Sequence, residues 1–153
     1  MPTTIFHLSN QGRCDDVFAL YRKDSSTLGF MPRGAFAEGI AKRTLLVAID
    51  GQEQILGYLL YRVAHGVASI AHLCVSPAAR GSGIGKSLVG ELKRLTTHLD
   101  GIKLKCRRDF PAHRQWPKWG FIARGQAIGR GADNAELVIW HLDHNHVDLF
   151  SAH

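Results

Sequence analysis

Between Leu73 and Leu95 the chain reads LCVSPAARGSGIGKSLVGELKRL, with an arginine, three glycines and a Lys-Ser pair where an apolar run gives way to a helical repeat. Glycines at 81, 83 and 85 let a backbone turn tightly and bring the unpaired N–H groups of a first helical turn against an anion. The positive end of the helix dipole adds about 0.3–1 kcal/mol to that attraction. The chemistry on offer is the holding of a phosphate-type group. Gly85-Lys86-Ser87 suggests the loop of nucleotide hydrolases, but that loop requires glycine five positions before Gly85, where Arg80 stands. The dinucleotide pattern GxGxxG also fails, ending on Lys86 or Leu88 according to where it is started. What remains is Arg80-x-x-Gly83-x-Gly85, preceded by Leu-Cys-Val and a Ser76-Pro77 break.

Two histidines stand out, since an imidazole with pKa near 6.5 can take or give a proton at neutral pH. His72 lies in SIAHLCV, where strand alternation puts it on one face with Ile70 and Cys74, which favours a packed, hydrogen-bonded ring over a reacting one. His113 in PAHRQW is the second. Cys14, Cys74 and Cys106 are widely spaced and form no CxxC, which predicts reduced thiols, with Cys74 and Cys106 as small apolar fillers. The end of the chain, HLDHNHVDLFSAH, carries His141, His144, His146, His153, Asp143 and Asp148 at spacings that match no ligand set, so no metal is expected. Leu149 and Phe150 nearby suggest a tail that docks or leads onward.

The elements that must position these residues follow from periodicity. TIFHL (4–8) reads as a strand, DDVFALYRK (15–23) as a helix, and RGAFAEGIAKR (33–43) as a second helix weakened by Gly34 and Gly39. TLLVAI and ILGYLLYRV flank the turn DGQEQ, and VASIAHLCV follows a turn at AHG, giving three sequential antiparallel strands. From Gly83 the period becomes helical, with Ile84, Leu88, Leu92, Leu95 and Leu99 on one face. GIKLKC is a further strand, PAHRQWPKW a short helix, and GFIARG and AELVIWHL two last strands. The order is mixed α/β with a strand-helix-strand crossover in the middle.

With 153 residues and 45% hydrophobic content, the expectation is one domain, 1–153, that needs neither disulfide nor metal. No run suits a membrane helix and MPTTIFHLSN lacks signal-peptide sections, so a cytoplasmic protein, monomer or homodimer, is expected. The net charge of +6 suits an anionic ligand. The basic clusters KLKCRR (103–108) and RGQAIGRG (124–131) lack the interleaved aromatics of a nucleic-acid stacking platform and are expected to be solvated faces.

LCVSPAARGSGIGKSL resembles the acyl-CoA motif [Q/R]-x-x-G-x-[G/A] of the GCN5-related N-acetyltransferases. A second stretch, DFPAHRQWPKWGF, is similar to the downstream family pattern N-x-x-A-x-x-L-Y-x-x-x-G-F. The resemblance implies the family's mixed, mostly antiparallel sheet of about seven strands with about four helices. It implies acetyl-CoA as co-substrate. Leu73, Cys74 and Val75 would then offer backbone groups to pantetheine, and Arg80, Gly81, Ser82, Gly83, Ile84, Gly85, Lys86 and Ser87 would wrap the pyrophosphate. Asp109, Ala112 and Trp116 fall on cofactor-side positions, although a helix cap ahead of Pro111 is the better reading of Asp109.

Two departures bear on mechanism. The family's tyrosine acid is here Trp116, whose indole N–H donates a hydrogen bond but is no proton acid at physiological pH. The usual strand carboxylate is absent, and His72 is the nearest group to its place, which makes it the candidate base by resemblance, with His113 on the short helix the second. The resemblance implies transfer of acetyl to a primary amine of a small molecule or protein, with acyl-CoA binding without turnover as the alternative. The acceptor side would be formed by DSSTLGFMPRGAF and IGRGADNA, with Leu28, Phe30 and Met31 as pocket, lid or core.

Overall fold

The computed structural model describes residues 2–23, 30–108, 110–128 and 136–144. The elements run β1 (Thr4–His7), α1 (Cys14–Lys23), α2 (Arg33–Lys42), β2 (Leu45–Ile49), β3 (Ile55–Ala64), β4 (Val67–Val75), α3 (Ile84–Leu95), β5 (Gly101–Arg107), β6 (Ile122–Ile128) and β7 (Glu136–Asp143). The seven strands form one sheet in the order β1-β2-β3-β4-β5-β7-β6. β4 and β5, which α3 connects, run parallel, as a helical crossover requires. This is the mixed, mostly antiparallel α/β architecture that the resemblance implies.

The chain divides into two compact units, Met1–Arg62 with Ala71–Leu92, and Val63–Ile70 with Lys93–His153. In the first unit, alternation along β2 and β3 sends Leu45, Val47, Tyr58 and Leu60 to one core, where Cys14, Val17, Leu20 and Tyr21 of α1 and Phe36 and Ile40 of α2 meet them. Each such large side chain contributes about 1.5–3 kcal/mol by leaving water. Gly39, which weakens α2 as a helix former, is needed there, since a Cβ would come 2.5 Å from Leu60 Cδ1. α3 buries Ile84, Leu88, Val89 and Leu92 and leaves Lys86, Gly90 and Arg94 exposed, the amphipathic pattern of the sequence.

In the second unit, β5 pairs with the first half of β4 from Val67↔Gly101 to Ile70↔Leu104, and with β7 from Gly101↔Asp143 to Arg107↔Leu137. β6 joins β7 with a bulge at Ala123/Gly125 and forms the sheet's end. Trp116, Phe121, Val138 and Trp140 are buried, as are Ile102 and Leu104 of β5.

The periodicity through Leu99 overruns the helix, which ends at Leu95. Thr96 is instead buried, with its Oγ1 bonded to His144 Nε2 at 2.9 Å, and the Leu99 amide donates to the Thr96 carbonyl. The short helix expected over 111–119 is two 3-10 turns, Pro111–Arg114 and Pro117–Trp119, because Pro117 brings no N–H to continue the first. Leu28, most of IGRGADNA and the tail from residue 145 lie outside the described residues.

Candidate active site

β4 ends against β3, where the Ser76 amide donates to the Leu56 carbonyl at 2.7 Å. A 3-10 turn over Pro77–Ala79 follows, then Arg80 in extended conformation, its Nε donating to the Val75 carbonyl at 3.2 Å. Ser82 Oγ donates to the Ala79 carbonyl, folding the loop on itself. Gly81 and Gly83 take φ of +83° and +86°, a region costly for side-chain-bearing residues, and a Cβ at either would meet nothing within 4 Å. The loop is therefore glycine-built and open on its outer side. The first helical bond of α3 runs from Ser87 N to Gly83 O at 3.0 Å, so the amides from Gly83 to Lys86 have no partner within the helix. Buried Ile84 and Leu88 anchor this turn, while Lys86 and Ser87 are exposed beside it.

Gly57 of β3 belongs to this arrangement, and the motifs of the sequence did not single it out. A Cβ there would lie 2.9 Å from the Cys74 carbonyl oxygen and 3.2 Å from Ile84 Cγ2. The signal was present as a glycine inside the strand run ILGYLL, a pattern that marks close backbone approach.

His72 does share its face of β4 with Ile70 and Cys74, all three buried. Its Nδ1 lies 3.2 Å from the Tyr58 hydroxyl, and its ring is 5.5 Å from that of Tyr21 and 6.4 Å from that of Tyr58. The Tyr58 hydroxyl and the Cys74 thiol are neighbours in this cluster. Burial pushes that thiol up to about 11, with the Tyr58 hydroxyl opposing the rise. The Tyr58 hydroxyl is raised too, by burial first and then by Cys74 and Tyr21 beside it. Leu73 and Val75, the alternating positions, are half-buried. On α1, Tyr21 accepts from the Met31 amide at 3.0 Å, while the neighbouring Phe30 is 84% exposed.

The second unit holds the remaining candidates. Trp116 is buried edge-on to Trp119 and Phe121 at 5.2 and 5.3 Å, and its carbonyl accepts from the Phe121 amide. Half-buried His113 packs its ring 5.1 Å from that of Trp140. His113 Nδ1, Trp116 Nε1 and Trp140 Nε1 are buried without a hydrogen-bond partner among the described residues. Ala112 is exposed, and Asp109 lies outside the described residues. Cys106 is half-buried, and Cys14 and Cys74 are buried, all three as free thiols. Arg108 pairs with Glu136 at 3.2 Å and Arg124 with Asp143 at 2.5 Å, so each basic cluster is partly neutralised. No group of three metal-ligating side chains occurs among the described residues, and no described helix is long and apolar enough to cross a membrane.

A family model described as the acetyltransferase (GNAT) domain matches residues 41–123. The chain belongs to the GNAT acetyltransferase family. The matched region takes in β4, the Arg80–Ser87 loop, α3 and both 3-10 turns of this GNAT chain. Solved structures of similar fold include the ribosomal-protein-S18-alanine N-acetyltransferase of Escherichia coli, with a TM-score of 0.78 at 15% identity over 93% of this chain and 94% of that one. The NatC complex bound to Gag peptide and CoA gives 0.77 at 19% over 94% and 99%. A point mutant of the spermidine N-acetyltransferase SpeG of Vibrio cholerae gives 0.74 at 15% over 93% and 94%. These likenesses show a GNAT fold, and the three proteins differ in acceptor by their names. No curated protein matches the chain significantly.

Proposed function

We propose that the protein is a cytoplasmic N-acetyltransferase that passes the acetyl group of acetyl-CoA to a primary amine by direct attack in a ternary complex. The observation that carries this is the glycine-built loop of a GNAT chain, with Gly81 and Gly83 at positive φ, open space above both, and the first amides of α3 beyond. Backbone groups from Arg80 to Ser87 would hold the pyrophosphate, and those of Leu73, Cys74 and Val75 the pantetheine, with Asp109, Ala112 and Trp116 on the cofactor side. Acetyl-CoA supplies an activated thioester carbonyl.

The chain must then handle one proton. An unperturbed lysine-like amine with pKa about 10.4 is neutral in only about one part in 10³ to 10⁴ at pH 7. His72 is the base in this proposal, with His113 as the second candidate. Trp116 offers a hydrogen-bond donor where the family has an acid, and a thiolate leaving group of pKa about 8.5 departs without full protonation. The acceptor is an amine of a small molecule or a protein.

Release of CoA thiol from acetyl-CoA, followed across small amines, peptides and protein extracts, tests the proposal. Turnover is expected with at least one, and His72→Gln should lower kcat/KM about a hundredfold while CoA affinity is retained. Tight acetyl-CoA binding with no release on any amine would favour a ligand-sensing module instead, a reading that Trp116 and the carboxylate-free strand β4 motivate.

A further inference from the structure

We infer that the open face of β5, β7 and β6, in the second unit, is a docking surface for an acidic amphipathic helix of a partner protein. The inference goes beyond acetyl transfer and does not rest on it.

Strand register decides which side chains share a face, because paired residues point the same way and neighbours along a strand point oppositely. One face carries Ile102 and Leu104 of β5 with Val138 and Trp140 of β7, all buried. The turns after β5 lie on that side: the His113 ring packs 5.1 Å from that of Trp140, and a Cβ at Gly120 would stand 3.5 Å from Leu142 Cδ1. The opposite face carries Lys103, Lys105 and Arg107 on β5 and, beside them, Leu137 and Ile139 on β7. β6 continues it with Ile122, Gly125 and Ala127, which pair with His141, Ile139 and Leu137. None of these is buried. Lys103 and Lys105 are exposed, Leu137, Ile139 and Ala127 are half-buried, and Ile122 is 59% exposed. A sheet normally covers an apolar face of this kind with a helix or a second sheet.

Charge names the occupant. Lys103 and Lys105 make no ion pair among the described residues, and Arg107 ends their row with its guanidinium 4.8 Å over the Phe110 ring. The acid that shares this face by register, Asp143, is already held by Arg124. Residues two apart on a strand are about 6.6–6.8 Å apart, close to the ~6 Å rise between residues four apart on a helix. A helix laid along β5 and β7 therefore sets carboxylates over the lysines and an apolar stripe over Leu137 and Ile139, while Gly125 and Ala127 are too small to hold it off. An apolar partner without carboxylates would cover two ammonium groups and leave them unpaired, which is costly. A second copy fits worse, since two-fold pairing brings the same patch against itself in a chain of net charge +6. Single-stranded nucleic acid also fits worse, because it binds by stacking on rings and the strands offer only the His141 imidazole on this face.

The test titrates a synthetic helix of about 20 residues, with glutamates four apart beside a leucine stripe, into the ¹⁵N-labelled full chain. A contact of about three turns is small for an interface, so Kd should be about 10–100 μM at low salt and weaken as salt is raised. Amide shifts should gather at Lys103, Lys105, Ile139 and Ala127. The pair Lys103→Glu and Lys105→Glu should weaken binding at least tenfold, the pair Lys103→Gln and Lys105→Gln about fivefold, and Ile122→Ser about threefold. Lys118→Glu, the same charge change on the Pro117–Trp119 turn, should leave Kd unmoved. Thermal midpoints check that each variant folds, and if the Glu pair does not, the Gln pair decides. Equal binding of a scrambled peptide of the same composition, shifts gathered away from β5, β6 and β7, or a Kd unmoved by the lysine changes overturns the inference. So does an oligouridine that binds this face more tightly than the acidic helix, which assigns it to nucleic acid. A dimer whose dilution moves these same amides assigns the face to a second copy and overturns it too.

Discussion

The loop after β4 and the ring cluster around His72 lie in the same unit, yet they are built by opposite means. The loop relies on backbone: Gly81 and Gly83 adopt φ values that other residues resist, and the amides it exposes belong to consecutive residues. The cluster relies on side chains that come from far apart in sequence, Tyr21 from α1, Tyr58 from β3, His72 and Cys74 from β4. A site made of consecutive amides tolerates changes in neighbouring side chains but not in its glycines. A site made of converging rings depends on every element that carries one.

The loop half of that contrast is broken most sharply at Gly83. Gly83→Glu puts a negative side chain where the proposed pyrophosphate lies and strains a residue at φ +86°. CoA affinity, by titration calorimetry, should fall at least a hundredfold, while the thermal midpoint moves only a few degrees because a Cβ there meets no other atom within 4 Å. Unchanged affinity would falsify the placement of the anion.

This difference in construction also decides what the sequence discloses. Arg80, Gly83 and Gly85 announce themselves because their spacing along the chain is the spacing of the loop. The strands and α3 were legible for the same reason, as periods of two and 3.6, and β4 matches the predicted 67–75. The partners of His72 were not legible, since nothing in IAHL, ALYR or GYLL says which ring will meet which. Gly57 lies between these cases. Its position inside a strand implied a close approach, but only the fold shows that the Cys74 carbonyl is what approaches. The helix end at Leu95 was missed because Leu99 keeps the period while buried Thr96, bonded to His144, ends the helix.

The cluster half is sharpened by alkali. The Cys74 thiol rises from an ordinary 9.0 to about 11 in the folded chain, so the native state holds its proton where the unfolded state has lost it. Stability from this group is full below about pH 9 and is lost as pH rises towards 11. By pH 10.5 the loss should be about 2 kcal/mol, and Tyr58, raised by the same burial, adds loss of the same sign at higher pH. Urea unfolding at pH 8 and 10.5 measures it, and Cys74→Ala should flatten the difference. In the native state at pH 8, iodoacetamide should modify half-buried Cys106 and spare Cys14 and Cys74. Rapid alkylation of Cys74 would mean that the cluster is open to solvent.

A third region supplies the control and the smallest effect. His7 of β1 also meets a tyrosine of β3, with Nε2 2.8 Å from the Tyr61 hydroxyl, but Tyr61 is an odd position of that strand and faces away from the Tyr58 side. Its surroundings are charged: burial lowers its pKa first, Glu91 works against that and Arg43 with it. A histidine lowered in the folded state favours folding above its ordinary 6.5, and that contribution is lost as pH falls below it. His7→Gln should therefore reduce the drop in thermal midpoint between pH 7 and pH 5 by about a degree. It should leave kcat/KM for acetyl transfer unmoved, in contrast to His72→Gln. A loss in His7→Gln as large as in His72→Gln would mean that the cluster of rings around His72 has no special claim on the acceptor proton.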